Sequence, residues 1–141
     1  MQWIAHAATK APRTSTCQQI KTRKIPMDFF QPLDPSTLTP TTDRPAPEKL
    51  ISGDPVFTTW DFEEREAEGL YAGIWQSTPG AWRVSYEEWE YCRIRRGHSV
   101  LRSADGSERV LKEGDSFLIR PGFEGIWEVI ETTVKDYVIK L

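Results

Sequence analysis

Glu90-Tyr91-Cys92-Arg93-Ile94-Arg95-Arg96-Gly97 is the stretch whose reading decides the fold. With the period of two of an extended strand, Glu90, Cys92 and Ile94 share one face, opposite Tyr91, Arg93 and Arg95. The less charged face is the one a core takes, and it carries an acid. Gly97 then supplies the freedom for positive φ that a corner requires.

Outward from this stretch the same texture repeats. Over residues 81–86, Trp82, Val84 and Tyr86 share a side, opposite Arg83 and Ser85. Short runs rich in β-branched and aromatic residues occupy 56–60, 70–76, 99–103, 108–111, Ser116–Ile119, 125–131 and 134–140. Between them lie Ser77-Thr78-Pro79-Gly80, Asp105-Gly106 and Gly114, which carry the chemistry of tight turns. Many short strands with regular turns predict an all-β sandwich or barrel. No repeat of 20–50 residues is present, which argues against a propeller or solenoid. The charged run 63–68, closed by Gly69, reads as a solvated loop with room for a turn of helix.

The 141 residues suit one domain with a core of its own. A hydrophobic content of 38% with 11% aromatic residues fits a globular β protein. No apolar run approaches the roughly 18–20 residues of a membrane helix, so no membrane association is expected. Cys17 and Cys92 fall in a tail and a strand, a usage that fits a reducing, cytoplasmic compartment rather than a structural disulfide.

The net charge of −3 conceals an asymmetry. Residues 1–27 hold five basic side chains and no acid, whereas the rest holds 13 basic and 21 acidic residues, a net of −8. An acidic body is a poor match for a phosphate backbone, so no nucleic-acid partner is expected. The basic segment reads as a disordered tail, with a transit peptide or an upstream extension before Met27 as alternatives. Residues 32–47 contain five prolines and lack helical periodicity. They read as an extended arm across this barrel or a neighbouring subunit. The expected division is a tail and arm over 1–50 and a domain over 51–141.

Four stretches carry a family resemblance. They are Gly73-Ile74-Trp75-Gln76-Ser77-Thr78-Pro79-Gly80-Ala81-Trp82-Arg83-Val84-Ser85-Tyr86, Gly114-Asp115-Ser116-Phe117, Phe123-Glu124-Gly125-Ile126-Trp127-Glu128-Val129 and the ending Lys135-Asp136-Tyr137-Val138-Ile139. Over roughly 51–141 the chain resembles the small single-domain cupins related to the ureidoglycine aminohydrolase cupin domain. The resemblance implies a cupin (RmlC-like) jelly-roll β-barrel, paired as a homodimer, with a ligand cavity between its two sheets. It also maps the usual metal ligands, three histidines and a glutamate, onto Val84, Tyr86, Glu90 and the neighbourhood of Gly125. Only Glu90 keeps a ligand-type side chain. The two histidines, His6 and His98, lie elsewhere. A transition-metal site needs several donors converging at about 2.0–2.3 Å, so neither a metal nor another cofactor is expected.

On the assigned faces, Trp82, Tyr86, Glu90, Cys92 and Trp127 line the barrel and form a candidate ligand site. Lys135 and Tyr137 share a face of the last strand, which either enters it or lies exposed on an edge strand. The two tryptophans also suit plain core packing. Glu90 reads equally as a ligand anchor or general acid/base, or as half of an internal pair with Lys135 or an arginine. Cys92 reads as a small buried hydrophobe, since no histidine is placed to activate it. His98 is expected at the surface, and Arg93, Arg95 and Arg96 as a solvated or dimer-facing stripe.

Three functions fit these residues. One is a metal-free small-molecule-binding cupin that uses Glu90 within aromatic walls. Another is an enzyme on a small nitrogenous or ureido-type metabolite, with Glu90 moving a proton and Lys135 or Tyr86 stabilising developing charge. The third is a structural dimer module.

Overall fold

The computed structural model describes residues 30–141. The expectations for the basic tail, Cys17 and a start at Met27 lie outside the described residues. Among the described residues, nine strands make up the fold: β1 (Thr41–Asp43), β2 (Leu50–Gly53), β3 (Phe57–Arg65), β4 (Leu70–Ser77), β5 (Gly80–Ser85), β6 (Trp89–Ser103), β7 (Glu108–Lys112), β8 (Ser116–Ile119) and β9 (Glu124–Lys140). Two short 3-10 turns, Pro35–Thr37 and Glu66–Glu68, are the only helical elements among the described residues. No helix among them is long and apolar enough to cross a membrane.

All pairings are antiparallel, and two long strands organise them. The C-terminal half of β9 lies between β4 and the N-terminal half of β6. Its N-terminal half lies between β5 and the C-terminal half of β6. One leaf therefore runs β1-β3-β4-β9-β6-β8, and the facing leaf runs β2-β5-β9-β6-β7. The single sheet curls over itself into a jelly-roll half-barrel, the all-β cupin fold expected from the sequence.

The bend lies within strands rather than between them. Residues 90–96 and 99–103, expected as two strands, are one 15-residue strand whose register shifts between Ile94 and Ser99. Residues 125–131 and 134–140 likewise form one 17-residue strand. Gly97 (φ +97°) marks the corner, and a Cβ there would lie 2.3 Å from the Thr132 carbonyl oxygen. Bulged long strands let a sheet fold back without breaking its hydrogen bonds. At the same corner, the buried hydroxyls of Ser99 and Thr133 meet at 2.7 Å.

The run 63–68 departs from the solvated-loop expectation. β3 continues through Arg65 by pairing with β4, and only Glu66–Glu68 form a turn, closed by Gly69 in the left-handed conformation. Pairing with a neighbouring strand overrides the low β propensity of the acids. The proline-rich arm lies on its own sheet. Its residues Thr41–Asp43 pair with Phe57–Thr59 of β3, and the Arg95 guanidinium donates to the Leu33 carbonyl at 3.3 Å.

The core between the leaves is aromatic. Phe57, Trp75, Trp82 and Trp127 pack mainly in tilted and edge-to-face contacts with centroids 4.8–6.1 Å apart. These geometries suit the ring quadrupole and add to the burial of large apolar area.

Candidate functional site

Three neighbouring strands set the site by their register. Glu90 pairs with Ile139, Cys92 with Tyr137, and Ile94 with Lys135, while Lys135 pairs with Trp75 on the other edge of β9. The period of two puts these residues on one inward face. Trp82 and Trp127 come from the opposite leaf, where they are register partners of each other. The folding of β6 and β9 brings the two sets together.

At the centre stands an ion pair. The Lys135 ammonium donates to Glu90 Oε1 at 2.8 Å, and the two side chains are 1% and 0% exposed. The same nitrogen lies 3.5 Å from Cys92 Sγ, 4.6 Å from the Trp127 ring centroid and 5.1 Å from that of Trp75. An ammonium has three donors and no acceptor; here a carboxylate, a thiol and two π faces surround it. Lys135, rather than an arginine, is the partner of Glu90.

Titration follows from burial and charge. Burial works against the charged form of Lys135, but the fields of Cys92 and Glu90, with the hydrogen bonds to both, outweigh it and raise its pKa. Burial, reinforced by the charge of Glu90, pushes the Cys92 thiol far up. The thiol is therefore neutral and a poor nucleophile at ordinary pH. Tyr86 is also raised by burial and then by Glu90. Tyr137 is raised by burial and by its hydrogen bond to Asp61. Gly73 makes room for that hydroxyl, since a Cβ there would lie 2.7 Å from it.

Two buried polar atoms beside the ion pair, Glu90 Oε2 and Trp127 Nε1, make no hydrogen bond of good geometry among the described residues, although the Tyr86 hydroxyl and the Cys92 thiol lie close enough to the Glu90 carboxylate to act on it. One accepts and the other donates. Buried polar atoms are rarely left unsatisfied, so both are candidate contacts for a polar group.

The metal of the cupin pattern does not fit these residues. Val84 and Gly125 stand opposite each other across β5 and β9, with Tyr86 just beyond the end of β5. A Cβ at Gly125 would lie 2.0 Å from the Arg102 carbonyl oxygen, so no imidazole can be built there without moving backbone. One oxygen of Glu90 is already committed to Lys135. Among the described residues, no three His, Cys, Asp or Glu side chains gather as a metal site.

Every candidate residue of the sequence reading is buried: Trp82, Tyr86, Glu90, Cys92, Trp127, Lys135 and Tyr137. Glu90, Cys92, Lys135 and Trp127 meet directly around the ammonium, and Tyr86 feels the charge of Glu90. Trp82 instead packs on Phe57 and Trp75, one shell away. Tyr137 is turned to Asp61. His98 is half-buried opposite Glu131 rather than exposed. Arg93, Arg95 and Arg96 lie outside, where Arg95 pairs with Asp136 at 2.6 Å.

Three residues were missed. Trp75 could have been found by carrying alternation through 70–76, and Glu88, a buried acid whose charge also raises Tyr86, by carrying it from Tyr86 to Glu90. No local signal marks Asp61, whose role arises from its distant partner.

Solved structures with this fold include a protein of unknown function from Pseudomonas syringae pv. tomato, with 27% identity and a TM-score of 0.68. The match covers 77% of this chain and 46% of that one, so the chain spans less than half of that relative's length. The EutQ protein of Clostridium difficile matches with 18% identity and a TM-score of 0.55, covering 61% of this chain and 63% of that one. Ectoine synthase from P. lautus matches with 9% identity and a TM-score of 0.55, covering 66% and 69%. No curated protein matches the sequence. Residues 59–137 match the family model described as the EutQ-like cupin domain, and the chain belongs to that family.

Proposed function

We propose that this cupin binds a small polar molecule inside its barrel, held by Glu90 against aromatic walls. The observation that carries the reading is Glu90 Oε2, a fully buried carboxylate oxygen with no hydrogen bond of good geometry, beside a second oxygen fixed by Lys135. Lys135 holds one oxygen of the carboxylate, and Trp127 Nε1 offers a donor of opposite sense nearby. Such a site suits a ligand with both a hydrogen-bond donor and an acceptor.

The enzymatic alternative uses the same groups. On the resemblance of residues 73–86, 114–117, 123–129 and 135–139 to cupins related to the ureidoglycine aminohydrolase cupin domain, a small nitrogenous, ureido-type metabolite is the substrate class. Glu90 then moves a proton and Lys135 supplies positive charge to a developing anion. The reading further takes residues 51–141 as the working domain, the protein as a homodimer, and the free buried thiol of Cys92 as fitted to a reducing cytoplasm.

A thermal-shift screen of small amines, ureido compounds and carboxylates tests the proposal, since a ligand of the native state raises the melting point by mass action. The expected result is a saturable rise with one chemical class that is lost in Glu90→Gln. A rise of equal size in Glu90→Gln, or none with any class, contradicts it. Turnover of a stabilising compound separates the enzyme from the binder.

A further inference from the structure

The residues that fit a metal poorly fit a different cation well. A carboxylate is buried at a position corresponding to a metal-binding glutamate, and the charge it faces is supplied by the chain itself. We infer that the Lys135 ammonium is the barrel's resident cation, taking the place against Glu90 that a bound metal ion would take.

Four observations converge on this assignment. The nitrogen lies within hydrogen-bond distance of Glu90 Oε1, and both side chains are almost wholly buried. Cys92 Sγ, itself fully buried, is its second acceptor at 3.5 Å. Trp127 and Trp75 present ring faces from opposite leaves at 4.6 and 5.1 Å, the geometry of a cation–π cage. Gly125, in the neighbourhood to which the resemblance maps an imidazole, is closed by the Arg102 carbonyl. A cage of carboxylate, soft sulfur and π faces recognises a compact monocation, and the four-carbon stem from β9 holds it there.

Lys135 is then a positioning residue. It fixes the orientation of Glu90 and leaves Oε2 as the atom open to other groups. A tethered ammonium is not removed by chelators, and it adds a positive charge without open coordination positions. This assignment shares Glu90, Lys135 and Trp127 with the proposed ligand site but does not rest on ligand binding, because it concerns the unliganded barrel.

Chemical rescue tests it. Lys135→Ala removes three methylenes and the ammonium, leaving a space shaped for n-propylammonium, and an engineered buried cavity can admit a matching small molecule. The expected result is a lowered melting temperature that n-propylammonium raises saturably. n-Propanol should give a much smaller rise, and the wild type no comparable one. The rescue should vanish in Glu90→Gln/Lys135→Ala. Equal rescue by n-propanol, equal rescue in the double variant, or no rescue of folded Lys135→Ala overturns the assignment.

If Lys135→Ala does not fold, Lys135→Met and Glu90→Gln/Lys135→Met decide. The double variant should recover most of the melting temperature lost in the single one, because it removes the stranded carboxylate charge. A double variant no more stable than the single one overturns the assignment.

Discussion

Lys135 and Glu90 are 45 residues apart in sequence and 2.8 Å apart in the barrel, joined by the longest strand pairing of the fold. Neither charge is tolerable alone. Removing one partner of a buried pair costs about 3–5 kcal/mol, because the other is left uncompensated. Glu90→Leu should therefore lose stability of that order in urea unfolding. A loss below about 1 kcal/mol would show that the ammonium is compensated by other groups.

Alkaline pH should destabilise the fold early. Cys92, Tyr86, Tyr137 and Lys135 all have native pKa values raised above their ordinary values of 9.0, 10.0, 10.0 and 10.5. Between the unfolded and native values, the unfolded chain has released protons that the native chain still holds. Stability is then full below about pH 9 and falls as pH rises. Denaturant melts across pH, followed with tyrosinate absorbance, check this. Cooperative unfolding should coincide with ionisation of Tyr86 and Tyr137.

Placing a histidine at Gly125 should fail to build a metal site. Its Cβ meets the Arg102 carbonyl at 2.0 Å, a backbone clash that no rotamer relieves. Gly125→His combined with Val84→His and Tyr86→His should lower the melting temperature without binding a stoichiometric transition metal. Measured metal content after dialysis decides between the outcomes.

At the strand corner, the order of hydrogen bonds predicts an asymmetry. The Thr133 hydroxyl donates to the Glu131 carbonyl at 2.9 Å, which leaves it to accept from Ser99. Thr133→Val strands the buried Ser99 donor and should cost about 1–3 kcal/mol. Ser99→Ala leaves Thr133 its donor bond and should cost less. The two denaturation curves, measured side by side, check the order.

Much of this was legible in the chain. Alternation alone places Glu90, Cys92 and Ile94 inward and sets Lys135 beside Tyr137, since period-two patterns are local and depend only on the pleat. The partnership of Glu90 with Lys135 was open, because register between strands far apart in sequence is not encoded locally. The merging of residues 90–96 with 99–103 was hidden for a related reason. Gly97 reads as the end of a strand, yet a glycine with positive φ also serves as a bulge inside one. Asp61 escaped notice because its value lies in the hydroxyl of Tyr137, 76 residues away.

The most direct measurement is a heteronuclear NMR titration of the Lys135 side-chain nitrogen in the wild-type protein. The account predicts an ammonium slow to exchange with water that keeps its proton above pH 10.5, the ordinary lysine value, and shifts in Glu90→Gln. A neutral amine at neutral pH, or an ammonium exchanging as freely as the surface lysines, would contradict it.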